Sequence, residues 1–574
     1  MTVEDVDEET VTSAQKSPQD TDGAMHGSTN LGRDCLLAAG ALVVVPAAGA
    51  LFHAWYASDL IDAAHAGQSG LDWLNRFFAA RMEADPGTYD LEHFHWMGRT
   101  MATRLSMLWA ILIACWLGWR HRNALGRGLK GFITERDLPF NLGIFRIVVF
   151  WMLLSFGTAD DLALYSSLPA SMHFPPVGLG PVLAKLPANP DLAAMLTIIF
   201  QIGCVLGMLG FLTRPVAVVV TILALYLLGL PQMFGKVNHS HHLVWFAAIL
   251  ATSRCGDALS IDALIRRWRG RPDPVPALGY ALPLRITWIL LGLIYFFPGF
   301  WKLWGGGMDW IFGDHLRYQM YHLWSTHEDY RTMTWLSESK LLVTLGGIGT
   351  IAFELLFIVL VLGRRTRLIA ALAGICFHAS MAIVLRIGFF TLQISYISLI
   401  DWRRLFERIG LLTSRPFEPG GATRAGAPSP IPVAIMGVII VVPVLLFGFR
   451  GENNGWPFAC YPRFSYPIFE PERDRIEYEV VDATGTIKDD DGLEEVRRRF
   501  RTARWIGLLR RTLQTSGEDL QQRLGALYRL GDSEPDPGDT IRFYRTTYST
   551  IPENWGDPPI HREILAEIRM NPDR

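Results

Sequence analysis

The chain is short of charge. Only 19% of its 574 residues are Asp, Glu, Lys or Arg, against the ~25% usual in a soluble globular protein. The two signs nearly cancel, with 53 basic and 55 acidic side chains and a formal net charge of −2. So flat a balance leaves no electrostatic footprint for nucleic acid. Paired cysteine motifs are missing too. Cys35, Cys115, Cys204, Cys255, Cys376 and Cys460 contain no CxxC pair, and most lie in or beside apolar runs. They read as small buried hydrophobes, with no disulfide framework. No internal repeat is visible. No signal peptide is expected, because the first apolar run starts late and lacks a basic leader.

Apolar sequence is what the chain has in quantity: 50% hydrophobic residues and a mean hydropathy of +0.22. Apolar runs cover 35–55, 101–119, 141–158, 191–211, 216–234, 240–253, 283–303, 341–362, 368–385, 388–400 and 431–449. Many reach the ~17–25 residues that cross a bilayer. The runs at 240–253 and 388–400 are short, and short segments at membrane depth line a cavity or pack within protein. The fold class expected is an all-α polytopic membrane bundle of about nine to eleven transmembrane helices, with a small C-terminal α/β domain outside the membrane. The organisation expected is a disordered acidic tail over 1–32, two extra N-terminal helices with an outer loop over 33–136, a main membrane domain over 137–450 and a soluble domain over 451–574. In the last of these, "IEYEVVDATGTI" and "DTIRFYRTTYST" alternate as strands do. "GLEEVRRRFRTARWIGLLRRTL" has helical spacing, with Leu493, Val496, Phe500, Leu508 and Leu513 apolar.

Lys and Arg set the orientation. With the N-terminus in the cytoplasm, the stretches 120–136, 212–215, 254–282, 363–367 and 402–424 are cytoplasmic and carry nineteen Lys and Arg residues. The opposite loops, 56–100, 159–190, 235–239 and 304–339, carry seven. The protein is therefore expected in the cell membrane, multi-pass, with its C-terminal domain extracytoplasmic. Eleven of the fifteen histidines fall on that outer side: His65, His93, His95, His173, His239, His241, His242, His315, His322, His327 and His561. Chemistry is expected at the outer mouth.

There, "GKVNHSHHL" places Lys236, Asn238, His239, Ser240, His241 and His242 between two apolar runs. An ionisable group embedded in a membrane segment is a functional candidate. A lysine drawn out of water titrates below its usual ~10.4 and becomes a usable general base; alternatively, Lys236 snorkels to the interface. Asn238 and His239 either orient a substrate oxygen as neutral partners or, with Ser240, cap the short helix that follows. His239 and His242 have the spacing of a metal pair, but no acidic or cysteine ligand accompanies them, and no metal is expected.

These residues resemble those of a known family. "K-x-N-H-S" before a short apolar helix, then "SRCGDALSID" with Asp257, Ser260 and Asp262, is similar to the vitamin K-dependent γ-carboxylases and to their bacterial relatives, the horizontally transferred transmembrane (HTTM) domain proteins. Three more blocks agree in order. They are "NLGIFRIVVFW" with Arg146, "IYFFPGFWKLWGGGMDWIFG" with Tyr295, Gly299, Lys302, Leu303, Asp309, Trp310 and Gly313, and "CFHASMAIVLRIGFF" with Phe377, His378, Ile387 and Gly388. The resemblance covers 137–405; the first two helices and the tail lie outside it. "NGWPFACYPRFSYPIF" resembles a W-P-F…Y-P-x-F segment of some bacterial relatives.

The resemblance implies a linked pair of reactions. A lysine, here Lys236, deprotonates reduced vitamin K or a menaquinone-type naphthoquinol. O2 converts the quinol to an epoxide, and the glutamate γ-carbon loses a proton and takes up CO2. The implied partners are the quinone, a glutamate-containing peptide or protein and the lipid bilayer. The implied catalytic residues are Lys236, Asn238 and His239, with Ser240, His242, Tyr295, Lys302 and His378 on the cofactor side. An apolar slot among 191–234, 240–253 and 283–303, opening near Lys236, is expected. Taken alone, His378 reads more readily as a core histidine, and Lys302 as a snorkelling lysine. Two other readings stand beside the carboxylase: a quinone-binding redox protein without carboxylation, and a non-enzymatic membrane protein for transport or immunity. A transporter needs acidic and basic groups deep in several spans, and here those are chiefly Glu354 and Arg285.

Overall fold

A computed structural model describes residues 19–85, 89–157, 161–235, 240–326, 332–412, 427–459, 464–488, 492–500, 502–530 and 538–569, with the backbone alone for 19–30 and 503. The chain forms two compact units, divided after Lys130.

In the first unit, helix α1 (Gln19–Phe52) runs through a π-helical turn, His53–Ala57, into a further helix, Ser58–His65. Its turns from Gln19 to Asn30 fall in the stretch expected to be disordered. Helix α2 (Leu91–Arg120) packs against it, and the Trp109 indole donates to the Ala41 carbonyl at 3.3 Å. Asp34, buried at the membrane helix, is paired with Arg120 at 3.3 Å and His121 at 3.1 Å. Pairing is the usual condition for keeping a carboxylate there.

The second unit contains α3 (Phe140–Phe156), α4 (Pro190–Leu209), α5 (Thr213–Leu227, extended by a 3-10 turn Leu230–Met233), α6 (His241–Thr252) and α7 (Leu278–Gly306). They are followed by α8 (Lys340–Leu360), α9 (Thr366–Leu385), α10 (Phe390–Ser395, extended by Tyr396–Leu399) and α11 (Ile431–Phe449). Every apolar run of the sequence is helical. Across the described residues of both units, eight helices are long and apolar enough to cross a membrane, and three shorter apolar helices accompany them. The protein is a multi-pass membrane protein.

Burial separates the helices by role. The apolar window of α7 is 78% buried, against 28% in α4, α8, α9 and α11, so α7 is the central post and the others present a face to lipid. Helix α6 has 12 residues, which span ~18 Å at 1.5 Å per residue, too little for a bilayer core of ~30 Å. Its residues from His241 to Leu250 are all buried. Surrounding protein therefore supplies what lipid contact cannot for so short a segment.

The two ends of α6 differ sharply. At its C-terminal end, "SRCGDALSID" forms a corner held by Arg146. That guanidinium, fully buried, donates to the carbonyls of Cys255 (3.1 Å), Ala258 (3.3 Å), Met208 (3.3 Å) and Leu259 (2.5 Å). Asp262 accepts from the N–H groups of Leu212 and Thr213 at 3.0 and 2.8 Å, and Ser260 caps the helix Ile261–Trp268. Asp257 pairs with Arg254 and Arg266 and takes the Tyr280 hydroxyl. These motif residues therefore build the scaffold at the end of α6 away from the knot.

The C-terminal tail is a four-stranded antiparallel sheet with helices. Its elements are β1 (Glu472–Val481), β2 (Ile487–Lys488), α12 (Gly492–Arg499), α13 (Thr502–Leu513), α14 (Gly517–Tyr528), β3 (Thr540–Ser549) and β4 (His561–Arg569), in sheet order β2-β1-β3-β4. Ile541 and Phe543 alternate inward from β3 against Leu493, Val496 and Leu524. The strands at 472–481 and 540–549 match the sequence pattern. The helical run splits in two after Phe500, and α14 and β4 were not anticipated.

Candidate functional site

The four central residues of the knot, Lys236, Val237, Asn238 and His239, lie outside the described residues. Both of its borders are described, and both are enclosed. Every residue from Leu230 to Gly235 is buried. The tail helix α13 is what covers them. Arg504, 1% exposed, donates through Nη1 to the Pro231 carbonyl and through Nη2 to Gln232 Oε1 at 3.1 Å. Gly235 has φ +94°, and a Cβ there would come within 2.9 Å of the Gly507 carbonyl carbon and 3.1 Å of its Cα. Both the backbone conformation and the close approach demand glycine. The tail therefore rests on the residue that immediately precedes Lys236.

The rest of this border is aromatic. The Phe234 ring lies 5.4 Å from Tyr165 and 5.1 Å from His173, and Tyr165 lies 5.5 Å from Phe500. Burial lowers the pKa of His173, so its imidazole is neutral near pH 7. Its Nε2 is buried with no hydrogen-bond partner among the described residues.

On the other border, Ser240 occupies the N-cap position of α6, but its hydroxyl makes no capping bond. His241 and His242 are buried, stacked edge-on to Trp245 (4.6 Å) and Phe246 (5.6 Å). The W-P-F linker closes this side. Residues 455–456 pair in parallel with 177–178, Trp456 is fully buried, and the Trp245 indole donates to the Pro457 carbonyl at 2.8 Å. The linker, whose role sequence did not reveal, thus ties the loop after α3 and the tail to α6. Among the described residues no three His, Cys, Asp or Glu side chains converge as a metal site.

Different elements build a second polar cluster. Tyr295, Gly299 and Lys302 follow one face of α7 at helical spacing. The Tyr295 hydroxyl bonds His378 Nε2 of α9 at 2.7 Å and the Tyr396 hydroxyl at 2.5 Å. Lys302 and Glu354, 4% and 5% exposed, form a buried ion pair, with the Trp310 ring 5.2 Å from the ammonium. The snorkelling expected of Lys302 is corrected: the α8 carboxylate gives the amine a partner inside the protein, so it has no need to reach water. Gly299 makes that possible, since a Cβ there would meet the Glu354 Cβ at 2.9 Å. Glu354 Oε2 and His378 Nδ1 are buried with no hydrogen-bond partner among the described residues. Tyr295 and His378 are thus brought together, while Ser240 and His242 belong to the knot border.

Of the residues bordering the knot, sequence reasoning missed Arg504, Tyr165, Phe234 and Gly235. Arg504 stood as one arginine among many in an amphipathic helix, and nothing local marked it.

Compared with known proteins, residues 139–403 match the HTTM domain. No curated protein and no solved structure matches the chain. The matched stretch runs from α3 past α10 and holds the knot, the Arg146 corner and the Tyr295–His378 and Lys302–Glu354 clusters. Residues 139–403 thus carry the likeness to the HTTM domain, and the N-terminal helices and the C-terminal tail lie outside it.

Proposed function

We propose that this protein is a membrane enzyme of the γ-glutamyl carboxylase type, coupling naphthoquinol epoxidation to carboxylation of a glutamate side chain, with Lys236 as its base. The observation that supports this best is the enclosure of the knot's borders by the tail, the W-P-F linker and an aromatic shell. A lysine delivered into such surroundings is drawn toward its neutral form by desolvation, and a neutral amine takes a proton.

The residues present suit a naphthoquinol. The border is largely aromatic (Phe234, Tyr165, Trp245), and its neutral His173 accepts or donates a hydrogen bond without quenching an amine. A bound naphthoquinol, oxidised to its epoxide by O2, would supply the basicity that removes the glutamate γ-proton, so that the resulting carbanion adds CO2. Lys236 takes the hydroxyl proton, Asn238 and His239 orient that oxygen, and Ser240 and His242 line the approach. The buried His173 Nε2 offers a further partner beside the knot. Tyr295, Lys302 and His378 serve from α7 and α9 by fixing the bundle around the slot. The N-terminus lies in the cytoplasm and the tail outside the cell membrane, where a glutamate-containing peptide meets the knot.

The test is direct. Purified full-length protein is incubated with reduced naphthoquinone, labelled CO2 and a glutamyl peptide, and epoxide and fixed label are both measured. Both products are expected; epoxide without label reduces the protein to a quinol oxidase. The Lys302–Glu354 pair favours a second reading, non-enzymatic transport, since intramembrane ion pairs mark translocation paths. Neither product, with solute flux in proteoliposomes that Glu354→Gln abolishes, selects that reading.

A further inference from the structure

The tail carries a site that the quinol chemistry does not use. A cavity of about 350 Å³ lies between the sheet and the end of the helix His315–Trp324. Two arginines of β1 line it, Arg473 and Arg475. Two apart on a strand, they share one face. Arg475 is partly engaged: it donates to the Ser325 carbonyl at 3.1 Å and lies over the Tyr548 ring at 5.1 Å. The Arg473 guanidinium has neither a hydrogen bond nor an ion pair among the described residues. Burial, and then Arg475 beside it, pull its pKa down. The neighbouring His322 is neutral, its pKa pushed down to about 4 by burial and then by Arg473. A half-buried guanidinium next to a second cation is a cost that folding alone does not recover, and an anion removes it.

We propose that this cavity binds a carboxylate carried on a short apolar stem, held by Arg473 and Arg475. The charge count selects the ligand. Asp557 also lines the cavity, so among the described residues two guanidiniums and one carboxylate leave a surplus of one positive charge. A carboxylate neutralises it, whereas a phosphate monoester, at about −1.5 to −2 near pH 7, overshoots. Arginine forks match a carboxylate in two-pronged fashion. Trp324, Trp555 and Tyr548 furnish walls for the stem. Free short-chain acids and acidic side chains of peptides present the same group. The site asks nothing of Lys236, so it stands or falls apart from the reading above.

Binding is measured by isothermal titration with the full-length protein in detergent. The probes are butyrate, a capped glutamyl pentapeptide, its glutaminyl counterpart and inorganic phosphate. Saturable binding of butyrate or of the glutamyl peptide is expected, with the glutaminyl peptide and phosphate at least about tenfold weaker; the stronger of the first two names the source. Arg473→Gln weakens the bound probe about 30-fold or more, yet does not lower the melting temperature, because it removes a charge that has no ion-pair partner among the described residues. Asp557→Asn enlarges the positive surplus and tightens binding. The proposal is overturned if neither carboxylate probe saturates, if Arg473→Gln binds as wild type does, if Asp557→Asn binds more weakly, or if phosphate or phosphatidylglycerol vesicles bind better than the carboxylates.

Discussion

Replacing Glu354 by glutamine keeps the shape of the side chain and strips the charge. In the native protein, the Lys302 ammonium meets Glu354 with both groups about 95% buried, and the Trp310 ring stands 5.2 Å from the ammonium. Glu354→Gln therefore leaves a cation in a low-dielectric interior without its counter-ion. Breaking one side of a buried pair costs about 3–5 kcal/mol, whereas replacing both partners by apolar groups is near neutral. Lys302→Met is expected to destabilise on the same scale, since it strands the carboxylate. The double variant Lys302→Met/Glu354→Leu is expected to lie close to wild type. With each single change costing about 3–5 kcal/mol and the double close to neutral, the coupling between the sites comes to about 6–10 kcal/mol, well beyond the ~0.5–3 kcal/mol usual for contacting residues. Tryptophan-fluorescence melting in one detergent ranks the four proteins. The reasoning is refuted if the double variant is as unstable as the two single changes summed, or if Glu354→Gln melts with wild type.

Three further outcomes are expected. Arg504→Ala strips the Pro231 carbonyl and Gln232 of their charged donor, so the tail loosens by about 1.5–3 kcal/mol; limited proteolysis should cut it sooner and quinol oxidation should fall with it, whereas unchanged digestion denies the clamp. His315 titrates at about 4, held below 6.5 by burial and then by Lys302, and its Nδ1 accepts from the Ile468 N–H at 2.9 Å. Its unfolded form takes the proton first, so its contribution is intact above pH ~6.5 and is lost as pH falls toward 4; melting should weaken from pH 7 to 5, and His315→Asn, which keeps an acceptor and cannot titrate, should flatten that slope, an unaltered slope opposing the assignment. Reporter fusions after Gly451 and within 363–367 should read opposite faces of the membrane, and a common face sinks the orientation.

Much of the bundle was legible because lipid imposes a simple rule. Long apolar runs must be helices, and each of the eleven is one. Short runs were legible as exceptions, and the burial of α6 gives the reason. The motif blocks were legible as a family resemblance, yet what they do was not. Arg146, Asp257 and Asp262 carried the resemblance without showing a task; at the far end of α6, Arg146 gathers carbonyls, Asp262 takes N–H groups and Asp257 pairs with Arg254 and Arg266. Lys302 and Glu354 were each visible as ionisable residues in apolar spans, but 52 residues separate them, and no local pattern could pair them. The tail's cover was the least legible part. Gly235 and Gly507 are ordinary glycines until α13 and the residue before Lys236 press together, and Arg504 declares its role only through a carbonyl 273 positions away.

The central claim is that Lys236 accepts a proton, and Lys236→Arg tests it most directly. Arginine preserves charge and reach but stays protonated, so it cannot serve as the base. With reduced naphthoquinone as substrate, epoxide formation is expected to fall about 10²–10⁴-fold in Lys236→Arg and equally in Lys236→Ala. Quinol binding should change little, because apolar burial supplies most of it. Near-wild-type epoxide formation by Lys236→Arg would contradict the account, since a lysine that only snorkels is well replaced by arginine.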